Sequence, residues 1–252
     1  MENYVDQYFS FVIDLLGQIA KQSEAAIHKT AEVVATAIEH GGLFLLFGSG
    51  QSALLARDAA YRAGGLAPAM ALEDIADGDA ERLEGLAKFI IARYELRAND
   101  VIAIISNSGI NPVPIEMAML ARDAGLTVIA ITSMTHSQAV PSRHSSGKKL
   151  YELADIVIDS RSVPGDAAIQ LPESTLKSGA TSTVVGSAIL QAITVQVAAM
   201  LSARGHEPPV WVSSNLPNGE IHNNELLTRY RSHLARYQMA SLSSTARKGN
   251  QI

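Results

Sequence analysis

The sequence has no cysteine among its 252 residues, which excludes disulfides, thiolate nucleophiles and cysteine-ligated metals. Aromatic residues are scarce, at 5%, so a core must consist mainly of Ala, Val, Ile and Leu, as in parallel sheets covered on both faces. Basic residues are not in excess: Lys and Arg total 20 against 25 Asp and Glu, a formal net charge of −5. This balance argues against a nucleic-acid partner. A small anionic ligand stays compatible, because a helix N-terminus can hold a phosphate without basic side chains.

The chain also has little that would direct it to a membrane. Residues 1–10 carry Glu2 and Asp6 and no basic residue, so they do not resemble a signal peptide, and we expect a cytoplasmic protein. The segment from Ser178 to Ala203 has no charge and is long enough to span a bilayer. Thr, Ser and Gln residues interrupt it. We therefore predict no membrane association, and a helix buried in the core or in a homodimer interface.

Short apolar runs alternate with helix-length segments along most of the chain. The runs are Leu43–Phe47, Ala67–Leu72, Val101–Ile105, Leu126–Ile131 and Asp155–Ile158. The intervening segments include Ser52–Arg62, Asp79–Arg93 and Pro112–Asp123. This alternation predicts an α/β fold with an open five-stranded parallel sheet and helices on both faces.

Extra helices are expected at both ends of this sheet domain. Two helical patterns open the chain, and a last helix is predicted near Glu220–Tyr237. Residues 159–172 are predicted to be irregular. We expect a single domain over residues 1–240 and a disordered tail over 241–252, where apolar residues are few.

Small polar residues follow three of the predicted strands. The first strand leads into Gly48-Ser49-Gly50-Gln51-Ser52, the third into Ser106-Asn107-Ser108-Gly109 with Asn111 beyond, and the fourth into Thr132-Ser133. The carboxyl ends of parallel strands share one edge of a sheet, where ligands bind near the topological switch point. The convergence of hydroxyls and helix N-termini at this edge predicts an anion-binding site.

The order of these loops resembles that of SIS (sugar isomerase) domains, a family of phosphosugar-binding proteins. The segments Tyr61–Gly65, Val113–Ala118 and Gly219–Asn223 are similar to one of its subfamilies. The resemblance implies a flavodoxin-like SIS fold, a sugar-phosphate ligand, a homodimer and no cofactor. It implies ligand contacts at Gly48, Ser49, Gly50, Gln51, Ser52, Ser106, Asn107, Ser108, Gly109, Asn111, Thr132 and Ser133. Two positions depart from the subfamily pattern: Gln51 stands where His is expected, and Asp58 where Glu is expected.

An isomerase needs a group that moves a proton between neighbouring carbons, a task suited to carboxylates and histidines. Glu73 follows the second predicted strand, and Glu220 and His222 begin the last helix, so these three are the acid/base candidates. The spacing of Asp58 and Arg62, one turn apart on a predicted helix, instead indicates an i,i+4 ion pair. No spacing of His, Asp and Glu predicts a metal site.

The sequence is also compatible with other functions. Gly48-Ser49-Gly50-Gln51-Ser52-Ala53 satisfies the dinucleotide-binding pattern, with Glu73 as the ribose-binding carboxylate of an NAD(P)-dependent oxidoreductase. A non-catalytic sugar-phosphate sensor is favoured by Gln51, which cannot take up a proton. An etherase or lyase would use Glu73 beside the ligand. The leading interpretation is an isomerase-type enzyme that acts on a sugar phosphate or an amino-sugar phosphate.

Overall fold

The computed structural model describes residues 3–248. Nine helices and seven strands follow one another over this described range. In chain order they are α1 (Tyr4–Gln22), α2 (Glu24–Glu39), β1 (Phe44–Gly48), α3 (Gln51–Ala60), β2 (Ala69–Leu72), α4 (Leu86–Ile91), β3 (Val101–Ile105), α5 (Pro112–Asp123), β4 (Thr127–Thr132), α6 (Met134–Ala139), α7 (Leu150–Leu153), β5 (Ile156–Asp159), β6 (Ala167–Gln170), β7 (Lys177–Ala180), α8 (Ser182–Ala203) and α9 (Gly219–Lys248).

Five strands form one parallel sheet in the order β2-β1-β3-β4-β5. This confirms the predicted five-stranded parallel sheet with helices on both faces and extra helices at both ends. Strand β1 is the point at which the chain changes direction across the sheet: β2 pairs on one side of it and β3 on the other. The loops after β1 and β3 therefore diverge at the carboxyl edge, which leaves a crevice between them.

Both faces of the sheet are buried, as the aliphatic composition predicts. In β3, Val101, Ala103 and Ile105 face a cluster formed with α1, α2, α3 and α8. Ile102 and Ile104 face a second cluster formed with α4, α5 and α7. Alternate side chains thus enter opposite cores, and the loops at the strand ends stay outside both.

The uncharged segment forms α8, which has the length and composition of a membrane span. In this structure Val185, Ile189 and Ile193 are buried in the cluster shared with α2 and α3. The helix begins at Ser182, four residues later than predicted, because residues 177–180 form β7.

Two further predictions change in detail. The helix expected over 79–93 is reduced to α4, because Gly78 and Gly85 adopt left-handed conformations, with φ of 92° and 89°. The segment expected to be irregular, 159–172, contains β6, which pairs with β7 in an antiparallel hairpin. At the C-terminus α9 continues beyond the predicted end near Tyr237 to Lys248, so it includes residues 241–248 of the segment predicted to be a disordered tail. Residues 249–252 of the predicted tail lie outside the described residues.

The loops after β1 and β2 touch through two glycines. A Cβ atom built on Gly78 would lie 2.5 Å from the Cα of Gly50. Both residues also have positive φ, 92° and 56°. Any side chain at position 78 would push the two loops apart, so this contact brings the loop after β2 to the crevice.

We expect Gly78→Ala to destabilise the protein more than a glycine replacement that carries backbone strain alone. Gly205 is the matched control, because its φ is +83° and nothing lies within 4 Å of its added Cβ. Gly205→Ala should lower the free energy of unfolding by about 1–2 kcal/mol, the cost of a left-handed alanine. Gly78→Ala should exceed that loss in urea denaturation. Equal losses would show that the loops do not pack as described.

Candidate functional site

A cleft of about 530 Å³ opens at the carboxyl edge of the sheet, between the loops that follow β1 and β3. It is lined by Ser49, Gly50, Gln51, Ser52, Asp77, Gly78, Asp79, Glu81, Ile105, Ser106, Asn107, Ser108, Asn111, His136, Gly165 and Asp166. The structure therefore brings together most of the predicted contacts of the loops after β1 and β3. Residues of the loop after β2, together with His136, Gly165 and Asp166, join them.

One side of the cleft presents neutral hydrogen-bond donors. Among the described residues, the backbone N–H groups of Gln51, Asn107 and Ser108 donate to no protein acceptor. Gln51 is the first residue of α3, so the positive end of that helix dipole faces the same space. The hydroxyl of Ser106 instead accepts from the Gly109 N–H at 3.2 Å and shapes the loop. Unengaged donors of this kind suit an anion.

The hydroxyl of Ser49 is directed away from a ligand. It donates to Oδ2 of Asp74 at 2.5 Å. The Asp74 carboxylate also accepts from the Ala76 and Gly78 N–H groups, each at 3.0 Å, and is buried. Ser49 thus ties the loop after β1 to the loop after β2.

Thr132 and Ser133 lie beneath the cleft with no exposed surface. The Thr132 hydroxyl donates to the Asn107 carbonyl at 3.3 Å, and the Ser133 hydroxyl donates to the Ser162 carbonyl. As placed, neither hydroxyl reaches the cleft, so both support the overlying loop instead of contacting a ligand directly.

Two of the predicted ligand-contact glycines also have a supporting role. A Cβ on Gly109 would lie 2.8 Å from Oγ1 of Thr132, and one on Gly48 would lie 2.4 Å from the Ser52 carbonyl oxygen. Both glycines allow close packing under the cleft and do not line it.

The predicted acid/base residues are not brought to the cleft of this chain. Glu73 is exposed and pairs with Arg93 at 3.5 Å. Glu220 is exposed at the start of α9. His222 bonds through Nε2 to the Val210 carbonyl at 2.9 Å, and residues 209–211 bond to the turn that precedes β2, at the opposite edge of the sheet. Without Glu73 in the cleft, the dinucleotide interpretation loses its ribose-binding carboxylate.

Asp58, the second departure from the family pattern, is also outside the cleft. Its carboxylate pairs with the Arg62 guanidinium at 2.6 Å on the exposed surface of α3. This is the i,i+4 ion pair that the sequence indicates.

The other side of the cleft carries four carboxylates: Asp77, Asp79, Glu81 and Asp166. No Lys or Arg is among the residues that line it. Burial raises the pKa of Glu81 above its ordinary value of 4.5, with a contribution from Asp74 and against the opposing effect of Arg82 and Arg143. The sequence pattern did not mark Glu81 as a site residue, because Glu81 lies within a predicted helix.

His136, the third residue of α6, is a further cleft residue that the sequence did not single out. Its Nδ1 atom is buried without a hydrogen-bond partner among the described residues. Burial lowers the pKa of the imidazole, the charge of Arg143 adds to this effect, and Asp166 opposes it. The neutral imidazole is therefore favoured. Only its position a few residues after the fourth predicted strand could have marked this histidine in the sequence.

Asp166 joins the cleft to the long core helix α8. Its carboxylate accepts from the N–H groups of Thr181 and Ser182 at 2.9 and 2.7 Å, and from the Ser182 hydroxyl at 2.7 Å. The Gln51 amide approaches the same carboxylate at 3.3 Å. Burial raises the pKa of Asp166, but the hydrogen bonds from Ser182 and Thr181 outweigh it and hold this pKa below its ordinary value.

A group with metal-ligand chemistry lies outside the cleft. Potential ligand atoms of Glu84, Glu116 and His144 are within 4.8 Å of one another. Nδ1 of His144 lies 3.1 Å from the Ser146 nitrogen and 2.7 Å from the Ser146 hydroxyl oxygen, and Nε2 faces Glu116 at 3.6 Å. The Glu116 carboxylate accepts from the Gly85 N–H at 2.6 Å, so these side chains already form a network with the protein.

We expect Asp166→Ala to lower the free energy of unfolding by about 2 kcal/mol at pH 7, the scale of a lost charged hydrogen-bond acceptor. The folded-state pKa is depressed, so this stability is present above the unfolded value near 3.8 and is lost as pH falls through the folded value. The difference from wild type in thermal unfolding should therefore shrink below about pH 4. Asp79→Ala, which removes an exposed cleft carboxylate, is the control and should change the free energy of unfolding at pH 7 by about 0.5 kcal/mol or less.

The chain matches a model of the SIS domain family over residues 7–133. It is 42% identical to a UPF0309 protein of Halalkalibacterium halodurans over 91% of this chain and 99% of that relative. It is 38% identical to a UPF0309 protein of Geobacillus thermodenitrificans over 91% of this chain and 96% of that relative.

Three solved structures share the fold. A phosphoheptose isomerase from Francisella tularensis superposes with a TM-score of 0.56 at 19% identity, over 77% of this chain and 96% of its own. The sugar isomerase domain of the RpiR transcription factor from Sphaerobacter thermophilus gives 0.51 at 18% identity, over 81% and 94%. The Vibrio vulnificus NanR protein complexed with ManNAc-6P gives 0.51 at 21% identity, over 92% and 70%. The parallel sheet, the crevice at its switch point and the family match agree: this chain belongs to the SIS domain family.

Proposed function

We propose that the cleft binds a sugar phosphate and that the protein is a cytoplasmic isomerase-type enzyme acting on a sugar phosphate or an amino-sugar phosphate. The observation that carries the proposal is the group of unengaged donors at Gln51, Asn107 and Ser108 beside the N-terminus of α3. A phosphate has the charge and the multiple acceptor oxygens to use all of them together.

The two sides of the cleft suit the two ends of such a ligand. The phosphate dianion would lie against the neutral donors and away from the carboxylates, since like charges repel. The sugar would then extend toward Asp77, Asp79 and Glu81, whose oxygens accept hydrogen bonds from hydroxyl or ammonium groups.

Proteins of the same fold lend support through their own ligands and activities. One neighbour is a phosphoheptose isomerase, and another is a complex with the sugar phosphate ManNAc-6P. Their sequence identities of 19% and 21% relate folds and not activities. The choice of an isomerase therefore rests on the titratable groups of this cleft, Glu81 and His136.

A non-catalytic sugar-phosphate sensor is the second candidate. Gln51 cannot take up a proton, and its amide is held 3.3 Å from both Asp166 and Ser182. One neighbour of the same fold, RpiR, is a transcription factor. A sensor would bind the ligand without changing it, so turnover separates the two candidates.

Thermal shifts against sugar phosphates, free sugars, NAD and NADP test the ligand class. A sugar phosphate at about 100 times its dissociation constant should stabilise the protein by about 2.7 kcal/mol. Ser108→Ala removes a hydroxyl donor to the phosphate and should weaken binding about tenfold or more. Ser202→Ala, an exposed serine at the end of α8, is the control. A shift with NAD or NADP alone, indifferent to Ser108, would overturn the proposal.

We further propose that the protein is a homodimer. Val5, Phe9 and Ile13 form an exposed apolar stripe on successive turns of α1, with 61–69% of each residue accessible, and Val195 of α8 is 68% exposed. Association would bury such side chains. Light scattering at micromolar concentration should give twice the chain mass of 26.8 kDa, and a monomeric mass would refute the dimer.

A further inference from the structure

The four carboxylates of the cleft differ in their hydrogen-bond and ion-pair partners and in their exposure to solvent. Asp166 is occupied by the N-terminus of α8. Asp77 is exposed, with its carboxylate 3.9 Å from the Arg57 guanidinium, and Asp79 is exposed as well. Glu81 is partly buried, and its carboxylate is held through one oxygen, by the amide of Asn111.

A two-step relay fixes the Glu81 side chain. Nδ2 of Asn111 donates to Oε1 of Glu81 at 2.6 Å, and the guanidinium of Arg143 donates to Oδ1 of Asn111 at 2.8 Å. Asn111 is buried, so its amide cannot swing away from either neighbour. Arg143 therefore sets the orientation of the amide, and the amide sets that of the carboxylate.

The backbone of Glu81 is held as well. Its N–H donates to the Gly78 carbonyl at 3.2 Å, and its carbonyl accepts from the Val113 N–H at 3.1 Å. Val113 is the second residue of α5, so Glu81 is attached to the helix that follows the Ser106–Gly109 loop. Glu81 and the proposed phosphate-binding loop, Ser106–Gly109, are therefore both attached to the unit formed by β3 and α5.

Resting on the proposed function, we infer that Glu81 is the general base that moves the proton in the isomerisation, with Asn111 and Arg143 as positioning residues. Oε1 is held by Asn111, and Oε2 makes no hydrogen bond with the described residues, which leaves it for the substrate. Burial also makes the carboxylate a stronger base, because it raises the pKa of Glu81.

The reaction step balances without any added reagent. In the open-chain aldose phosphate, Oε2 of Glu81 takes the proton from C2, and the electrons of that C–H bond form a C1–C2 double bond. The carbonyl oxygen at C1 takes up a proton from water, which gives an enediol and a hydroxide ion. The hydroxyl at C2 then gives its proton to that hydroxide as the new carbonyl forms, and Glu81 returns its proton to C1, which yields the ketose.

Proton abstraction can be followed without knowing the product. Each sugar phosphate that shifts the melting temperature is incubated with the protein in D2O, and loss of the C2 hydrogen is followed by proton NMR. Glu81→Gln should keep the thermal shift and slow the loss of the C2 hydrogen by about 100-fold or more, the lower range for removal of a general base. Glu81→Asp, which keeps the carboxylate on a side chain one methylene shorter, is a second variant in case Glu81→Gln does not fold. It should bind the sugar phosphate and remove the C2 hydrogen more slowly than the wild type.

Glu84→Gln is the matched control, because this glutamate lies three residues away and bonds to Ser145, outside the cleft. It should exchange at the wild-type rate. Asn111→Ser should bind the ligand and shift the acid limb of the exchange–pH profile, which a merely structural role would leave in place.

The outcomes separate this inference from the proposed function. If no sugar phosphate shifts the wild-type protein, the proposed function fails, and the assignment of Glu81 fails with it. If a sugar phosphate binds but the wild type removes no C2 hydrogen, either by exchange with D2O or by conversion to the ketose, the binding site stands and the general base is overturned. Exchange by Glu81→Gln within tenfold of wild type, or an equal loss in Glu84→Gln, overturns the assignment of Glu81 alone.

Discussion

The buried carboxylate of Asp74 holds together the two loops on which the cleft depends. It accepts the hydroxyl of Ser49 from the loop after β1 and the N–H groups of Ala76 and Gly78 from its own loop. Burial of a carboxylate is costly unless its oxygens are hydrogen-bonded, so the three donors must stay in place. Their arrangement sets the path of the chain through Asp77 to Glu81. The acidic side of the cleft is thus positioned by a residue that does not line it.

The sheet and the neutral side of the cleft could be predicted because both depend on local patterns. A run such as Val101–Ile105 is too short for a helix and too apolar for a surface strand, and β3 occupies these same residues. Parallel strands place their following loops on one edge whatever the details. The convergence of Gln51 and Ser108 therefore follows from topology alone, without knowledge of any side-chain conformation.

The acidic side could not be predicted because its conformation depends on contacts between distant residues. The stretch around Glu81 has the composition of a helix, yet Gly78 and Gly85 turn left-handed and keep it open. Asp166 reaches α8 only through the β6–β7 hairpin, which the sequence does not reveal. The direction of a hydroxyl also depends on distant residues. Ser49 follows β1 and Thr132 ends β4, but the hydrogen-bond partner of each lies 25 residues away in the sequence.

The loop between β2 and α4 has a consequence for how such a protein changes over evolution. From Ile75 to Glu84 it contributes no residue to either large hydrophobic cluster, and its apolar side chains Ile75 and Leu83 are exposed. Substitutions of the exposed Asp77 and Asp79 change the charge of the acidic side of the cleft without removing core contacts, whereas Gly78 is constrained by its contact with Gly50. The charge of this side is therefore separable from stability, and it can change while the donors of Gln51 and Ser108 stay as they are.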